Sequence, residues 1–286
     1  MSAIEGYGVV YFALGERYLA EAALSAASVR QHMPGLRTAI FCDGQVPAAL
    51  FDMRDRLVPG LPMKRQKMQA LLRSPFERTL YLDTDTLIAD PVWELFDLLD
   101  QFELAMALSP YWAVQLAQPR GSTVQHGVPV CFPKVNTGVI AVRSGPAVRR
   151  LIETWDRLYA AWGGQGQDQD SLRVALYESN LRWAPLPPAY NYRLPFPFAI
   201  RGGVKIFHGR HPNLVKLCAW INASTEFRAT VPARSALIRY GSSTLEPSLE
   251  ERLGRITGHK LVLRLGRKAD RLLRRWRGNR SSWPWP

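Results

Sequence analysis

Cysteine is scarce in this chain: three residues among 286, Cys42, Cys131 and Cys218, far apart and each set among apolar neighbours. So few and so scattered, they exclude a disulfide framework and a cysteine zinc site, and read as core thiols in a reducing compartment. No stretch of 18 or more uncharged apolar residues occurs, which excludes a transmembrane helix. Met1-Ser2-Ala3-Ile4-Glu5 lacks a basic segment followed by an apolar one, so no signal peptide is evident and the expected location is the cytoplasm. Acidic residues are also few, 24 against 37 Lys and Arg, for a net charge of +13. The deficit is local. Residues 252–286 hold eleven Lys and Arg and one acid, Asp270, a net +10, which leaves +3 for residues 1–251. A nearly neutral body with a polycationic tail points to a tail that meets an anionic surface.

With 47% hydrophobic residues, the chain suffices for one large globular domain plus an appendage. Gly8 to Ala13 reads as a buried first strand, Leu14 to Arg17 as a loop, Tyr18 to His32 as a helix stopped by Pro34-Gly35, and Thr38 to Cys42 as a second strand. Strand, helix, strand at this spacing is a βαβ unit with parallel pairing. A helix over 64–72 precedes the strand Thr79 to Leu82. Val92 to Leu99 follows Pro91 as a short helix. Leu104 to Leu108 and Asn136 to Val142 read as strands, and Ala147 to Ala161 has helical spacing. Asp168-Gln169-Asp170 opens a helix over Ser171 to Tyr177, where one aspartate is expected to cap. Residues 184–201, rich in Pro and aromatics, look irregular, and Val204 to Phe207 is a strand ending at His208-Gly209. There is no internal repeat. Alternating strands and helices argue for an open α/β sandwich, with ligands at the C-terminal ends of its strands.

The segment Arg78-Thr79-Leu80-Tyr81-Leu82-Asp83-Thr84-Asp85 says most about chemistry. An apolar run ends in two aspartates one residue apart, and on an extended backbone period-2 geometry puts both on one side. Two such carboxylates repel unless a cation lies between them. A hard divalent ion with oxygen ligands, Mg²⁺ or Mn²⁺, shared with a diphosphate, is the usual solution. The alternative is a strand-end turn in which both aspartates are solvated or cap the next helix.

Taken in chain order, the motifs resemble the GT-A fold glycosyltransferases, in particular the group that includes glycogenin and the bacterial lipopolysaccharide galactosyltransferases. The resemblance covers roughly residues 7–215. Its pieces are Val9-Val10-Tyr11-Phe12-Ala13, Phe41-Cys42-Asp43, the lysine-bearing helix 64–72 running into Asp83-Thr84-Asp85, Asn136-Thr137-Gly138-Val139, Asp168-Gln169-Asp170 and Phe207-His208-Gly209. It implies an α/β, Rossmann-like open mixed sheet flanked by helices over residues 1–225, with a basic helical extension over 226–286. It also implies a nucleotide-diphosphate sugar donor, a UDP-sugar by the family's habit, and a glycan or lipid-linked acceptor. Asp83, Asp85 and His208 would hold the metal, and an imidazole nitrogen suits Mn²⁺ better than Mg²⁺. Tyr11, Ala13, Lys67, Thr84, Asn136, Gly138 and Arg210 would line the donor site, Gly138 by allowing close backbone approach. Asp168 and Gln169 would face the transferred sugar. Lys64 stands beside Lys67 as a second candidate for the diphosphate. The chain departs from the family after His208: the run His208-Gly209-Arg210-His211-Pro212-Asn213 lacks the family's lysine, and Arg210 stands where its phosphate contact could be replaced.

The tail carries a different signal. Leu265, Ala269, Leu272, Leu273 and Trp276 fall on one helical face, with seven Lys and Arg over the rest and Trp283 and Trp285 beyond. A basic amphipathic helix with tryptophans suits an anionic membrane interface, so a peripheral position at the inner face of the membrane is expected. A helix packed on the body remains open, while no nucleic-acid-binding signature points to that partner. Two rival functions also remain open. One is a sugar-phosphate nucleotidyltransferase, although the loop after the first strand is poor in glycine. The other is a catalytically inactive α/β protein that binds membranes or polyanions.

Overall fold

The computed structural model describes residues 5–109, 124–196, 198–231 and 236–239. The expected basic helix and the rest of residues 240–286 lie outside the described residues. Strand β1 (Glu5–Ala13) passes through Gly15 into helix α1 (Glu16–His32), and the chain returns as β2 (Arg37–Cys42), parallel to β1. Gly15 is in the left-handed region, φ 87°, where glycine carries no Cβ penalty. Its amide donates to the Asp43 carboxylate at 2.9 Å, and its carbonyl accepts from Leu19 N at 3.1 Å. That anchoring starts α1 at Glu16, two residues before the sequence pattern does. Gly35, φ 84°, closes the turn after α1.

A seven-stranded sheet forms the body. Its other strands are β3 (Met53–Arg56), β4 (Phe76–Leu82), β6 (Leu104–Leu108), β9 (Val135–Arg143) and β10 (Trp183–Leu186), in the order β10-β6-β9-β4-β1-β2-β3. Only β9 runs antiparallel to its neighbours, β4 and β6. The start of β9, Asn136 to Gly138, therefore lies beside the end of β4, and Asp83 N donates to the Gly138 carbonyl at 2.8 Å. β3 and β10 are edge strands, and β3 is polar (Arg54, Asp55, Arg56), which is why neither stands out in the sequence. β10 also corrects the reading of 184–201 as irregular.

Alternation along the strands makes two cores. Val9, Tyr11, Leu80 and Leu82 pack under α1 and α3 (Glu94–Leu98). Val10, Tyr81, Ile140 and Val142 pack under α2 (Met63–Leu72), α4 (Pro146–Ala161) and α5 (Gln169–Glu178), where Trp155 and Tyr159 are buried. Each such side chain, fully buried, contributes about 1.5–3 kcal/mol from area removed from water.

After Asp85 the chain enters β5 (Thr86–Ile88), which pairs antiparallel with β13 (Ile206–His208); β11 (Tyr192–Arg193) pairs parallel with β13 on its other side. α6 (Leu214–Asn222) packs on this small sheet through Leu214, Cys218 and Ile221. A third sheet, β12 (Phe198–Ile200), β14 (Arg228–Val231) and β15 (Ala236–Arg239), crosses position 226. Two short strands, β7 (Val124–Gln125) and β8 (Val128–Pro129), make a hairpin. Cys42 and Cys218 are buried, but Cys131 is exposed: it lies in the loop that buried Arg173 pins by its bond to the Phe132 carbonyl, 3.0 Å, so the thiol turns outward. No helix among the described residues is long and apolar enough to cross a membrane.

Gly8 tests the packing of β1 on β4. A Cβ there would lie 2.3 Å from the ring of Phe76, a fully buried side chain. Gly8→Ala is expected to cost about 1–3 kcal/mol by overpacking. A urea titration checks this; an unchanged midpoint would show that the ring moves aside freely.

Candidate active site

Asp83 and Asp85 do not share a side because of the strand pleat. β4 ends at Leu82, and residues 83–85 form a turn into β5. Thr86 closes it: its amide and its hydroxyl both donate to the Asp83 carbonyl, at 3.2 and 2.8 Å. Gly209 N donates to the Asp85 carbonyl at 2.9 Å, which holds the turn against the end of β13. His208 is thereby brought to both carboxylates, its Nε2 lying 3.7 Å from Asp83 Oδ2 and 3.5 Å from Asp85 Oδ1. One ligand atom from each of Asp83, Asp85 and His208 falls within 4.8 Å of the others.

A chain of hydrogen bonds fixes the tautomer of His208. The backbone amide of Gly138 donates to Asn136 Oδ1 at 3.0 Å, so that oxygen is the acceptor. Asn191 Nδ2 donates to the same oxygen at 2.9 Å, which turns Asn191 Oδ1 toward His208 Nδ1, 2.8 Å away. Nδ1 is therefore the protonated nitrogen, and in the neutral ring Nε2 keeps its lone pair. Burial pushes the His208 pKa below its usual value, and the nearby Arg193 guanidinium adds to this. Gly138 is required for the same reason: a Cβ would come within 1.8 Å of His208 Cε1. The glycine makes room for the imidazole ring, which lies directly on the backbone there.

Lys67 stands at the centre of the other half. Its side chain is 2% exposed, and Nζ donates to the Thr137 carbonyl at 2.9 Å and pairs with Asp83 Oδ1 at 2.9 Å. It lies 3.8 Å from Asp168 Oδ2. Burial opposes its charge, but Asp83 and Asp168 outweigh burial and raise its pKa. Burial likewise acts to raise the pKa of Asp83 and is outweighed, first by Lys67, so the carboxyl stays below its usual range. Tyr81 donates a further bond to Asp83 Oδ1, 2.8 Å. Asp168 is fully buried and makes no cap bond to the helix it precedes, contrary to the expected aspartate cap. Its backbone carbonyl is held by Trp155 Nε1 at 2.8 Å and its Oδ1 accepts from Thr137 at 3.3 Å. Asp168 Oδ2 and Gln169 Oε1 are buried oxygens without a hydrogen-bond partner. Lys64, more exposed, lies 3.8 Å from Asp168 Oδ1.

Of the remaining candidate residues, Arg210 and Thr84 lie against this cluster, while Tyr11 is buried in the core. Arg210 makes two bonds to Glu21, at 2.7 and 2.9 Å, and its Nη1 lies 3.4 Å from Asp85 Oδ2. The Thr84 hydroxyl donates to Glu21 at 3.0 Å. Ala13 ends β1 beside Cys42, while Tyr11 lies two residues deeper, its hydroxyl 3.0 Å from Ser25 Oγ. A cavity of about 330 Å³ opens between α1 and the 209–214 segment, with Asp85 and Arg210 in its wall. Glu21, Asn191 and Arg193 join the site only through folding. Asn191 sits in Tyr190-Asn191-Tyr192, a segment that by sequence could line an acceptor cleft but reads more safely as aromatic packing, and nothing in the sequence links it to His208.

Asp83, Asp85 and His208 could hold a divalent ion, two carboxylates and an imidazole nitrogen being an ordinary donor set for one. No protein-family model matches the sequence, and no curated protein matches it. Solved structures do. The glycosyltransferase GlyE of Streptococcus pneumoniae TIGR4 is 15% identical, over 73% of this chain and 55% of that one, with a TM-score of 0.51. The galactosyltransferase LgtC, in complex with donor and acceptor sugar analogs, is 14% identical over 72% of this chain and 87% of that one, TM-score 0.47. Mouse xyloside xylosyltransferase 1 is 15% identical over 72% and 98%, TM-score 0.46. The chain thus has the GT-A-like fold of GlyE and spans about half that protein's length.

The hydrogen-bond chain makes a prediction. Asn191→Ala frees the His208 ring to rotate and should weaken Mn²⁺ binding by about 10–100-fold, the usual effect of losing a partner that orients a ligand. Titration of Mn²⁺ by electron paramagnetic resonance checks this; parental affinity would mean that packing alone orients the ring.

Proposed function

We propose that the chain is a metal-dependent glycosyltransferase that moves a sugar from a nucleotide-diphosphate donor, a UDP-sugar, to a hydroxyl of a glycan or lipid-linked acceptor. The observation that carries this reading is Lys67. Its buried ammonium, 2.9 Å from Asp83 and 3.8 Å from Asp168, joins the candidate metal set to two buried oxygens, Asp168 Oδ2 and Gln169 Oε1, that have no hydrogen-bond partner. Asp83, Asp85 and His208 would hold Mn²⁺ or Mg²⁺, which when bound supplies charge neutralisation of the leaving diphosphate.

The chain's own groups do the rest. Lys67 and Tyr81 fix the Asp83 carboxylate, and Asn191 aims His208. Asp168 Oδ2 and Gln169 Oε1 accept hydrogen bonds from hydroxyls of the donor sugar. Leaving such acceptors unmet costs about 1–3 kcal/mol each, so a hydroxyl that meets them is held firmly. Arg210, braced by Glu21, offers positive charge to the diphosphate, and Lys64 lies at the more exposed rim. Ala13, at the end of β1, marks the side of the nucleotide base. The nucleotidyltransferase alternative is not favoured, because Gly15 passes directly into α1 at Glu16 and leaves no glycine-rich loop.

Two substitutions separate the two halves of the site. Asp85→Ala should abolish the Mn²⁺-dependent part of UDP binding. Asp168→Asn should bind UDP almost normally yet lower turnover by on the order of 10²-fold, through loss of reacting geometry. Calorimetry with UDP and a UDP-release assay with Mn²⁺ read both; unchanged binding and turnover in Asp85→Ala would remove the metal reading.

For residues 252–286 the composition supports a peripheral membrane anchor separable from catalysis, its attraction electrostatic and screened by salt. A chain ending near Ser248 should keep UDP-sugar hydrolysis and lose binding to anionic liposomes. Full-length protein that ignores such liposomes at low salt would end the anchor idea.

A further inference from the structure

Arg210 lies between two carboxylates and is held by one of them. Its Nε and Nη2 donate to Glu21 Oε1 and Oε2 at 2.7 and 2.9 Å, the paired contact in which a guanidinium edge matches a carboxylate. Its Nη1 lies 3.4 Å from Asp85 Oδ2, longer than a good hydrogen bond. The flat face of the guanidinium covers the Tyr18 ring at 5.5 Å. Glu21 is thus the stronger partner, yet Asp85 lies within reach of a small rotation of the same side chain.

Glu21 reaches this position from α1. Its Oε2 also accepts from the hydroxyl of Thr84, the residue between Asp83 and Asp85, at 3.0 Å. Arg17, one turn earlier on α1, donates to Glu21 Oε1 at 3.1 Å from a side chain that is 69% exposed. Glu21, Thr84, Asp85 and Arg210 all line the cavity of about 330 Å³, so the guanidinium has space in which to turn. Asp85 presents its other oxygen, Oδ1, 3.5 Å from His208 Nε2. A guanidinium edge swung onto Asp85 would occupy Oδ2 and set a positive charge where a divalent ion has to sit, and like charges a few ångströms apart repel.

We propose that Glu21 keeps Asp85 open to the metal by holding Arg210 away from it. Once Glu21 no longer holds it, Arg210 turns its paired N–H edge onto Asp85 and competes with the ion. Glu21 is then a positioning residue, acting through Arg210. The proposal rests on the metal reading above.

The test is a double-mutant cycle read by titration of Mn²⁺ into the full-length protein, followed by electron paramagnetic resonance without UDP. Glu21→Gln, close in shape but without the charge, should weaken Mn²⁺ binding about fivefold, the bias that one partly exposed ion pair gives to the blocked conformer. In the Arg210→Gln background the same change should cost less than about twofold, because no guanidinium is left to be released. A Glu21 that acted only through its own negative charge would cost the same in both backgrounds, and that result overturns the proposal. So does parental Mn²⁺ affinity in Glu21→Gln alone. Thermal melts establish that the variants fold; if the glutamine variant does not, Glu21→Ala, which suits a helix, takes its place in both backgrounds. In each of these cases Mn²⁺ binding by the parent leaves the metal reading standing. A parent that binds Mn²⁺ only when UDP is present also overturns the proposal, since Asp85 is then not open to the ion, while the metal reading stands. If the parent binds no Mn²⁺ with or without UDP, the metal reading fails and this proposal falls with it.

Discussion

One buried ammonium organises the site. Lys67 leaves water to sit among Asp83, Asp168 and the Thr137 carbonyl, and so ties α2, the end of β4, the start of β9 and the entrance to α5 at one point. A buried charge is tolerable only when paired and hydrogen-bonded. The constraint therefore acts in both directions. Lys67 needs both carboxylates, and Asp168, fully buried before α5, needs a cation it can reach. Tyr81 donates to the same Asp83 oxygen, Oδ1, that Lys67 holds, so the second oxygen is left facing His208.

The antiparallel course of β9 makes that junction possible. In a wholly parallel sheet the end of β4 would lie beside the end of its neighbour. Here it lies beside the start of β9, which delivers Asn136, Thr137 and Gly138 to the rim. Asn136 then orients Asn191, and Asn191 orients His208. Gly138 removes the one carbon that would collide with the imidazole. Three consecutive residues thus serve the tautomer, the buried lysine and the space for the ring. The arrangement gives His208 a defined donor nitrogen without a carboxylate behind it, in keeping with the general pattern that a partner at the far nitrogen fixes a ligating histidine.

Much of this was legible in the chain. The apolar runs of β1, β2, β4, β6 and β9 and the helical spacing of α1, α2, α4 and α5 follow from period-2 and period-3.6 burial. Those elements are central or two-sided, and their patterns are strong. β3, β5, β10 and β11 were not legible. They are short or lie at edges, where one side faces solvent or another layer and the alternation fades. The motif order also singled out Asp83, Asp85, His208, Asp168 and Gln169; folding brings Asp83 and Asp168 to Lys67, and His208 to the Asp83–Asp85 turn. The strand pleat is not what pairs the two aspartates. A turn closed by Thr86 brings them together, because the strand ends at Leu82.

By itself, the sequence determined an α/β body, two aspartates at a strand end, and a basic tail set apart from a nearly neutral body. Such features depend on residue type and near-neighbour spacing, which the chain carries directly. Tertiary structure alone decided that Lys67 is buried on Asp83, that Asn191 sets the tautomer of His208, that Glu21 braces Arg210, and that Arg193 lies against the His208 ring. Each of those contacts joins two different elements, the widest, Arg210 to Glu21, across 189 positions. No local pattern encodes them, because they exist only once strand order and register have been fixed by the burial of everything else.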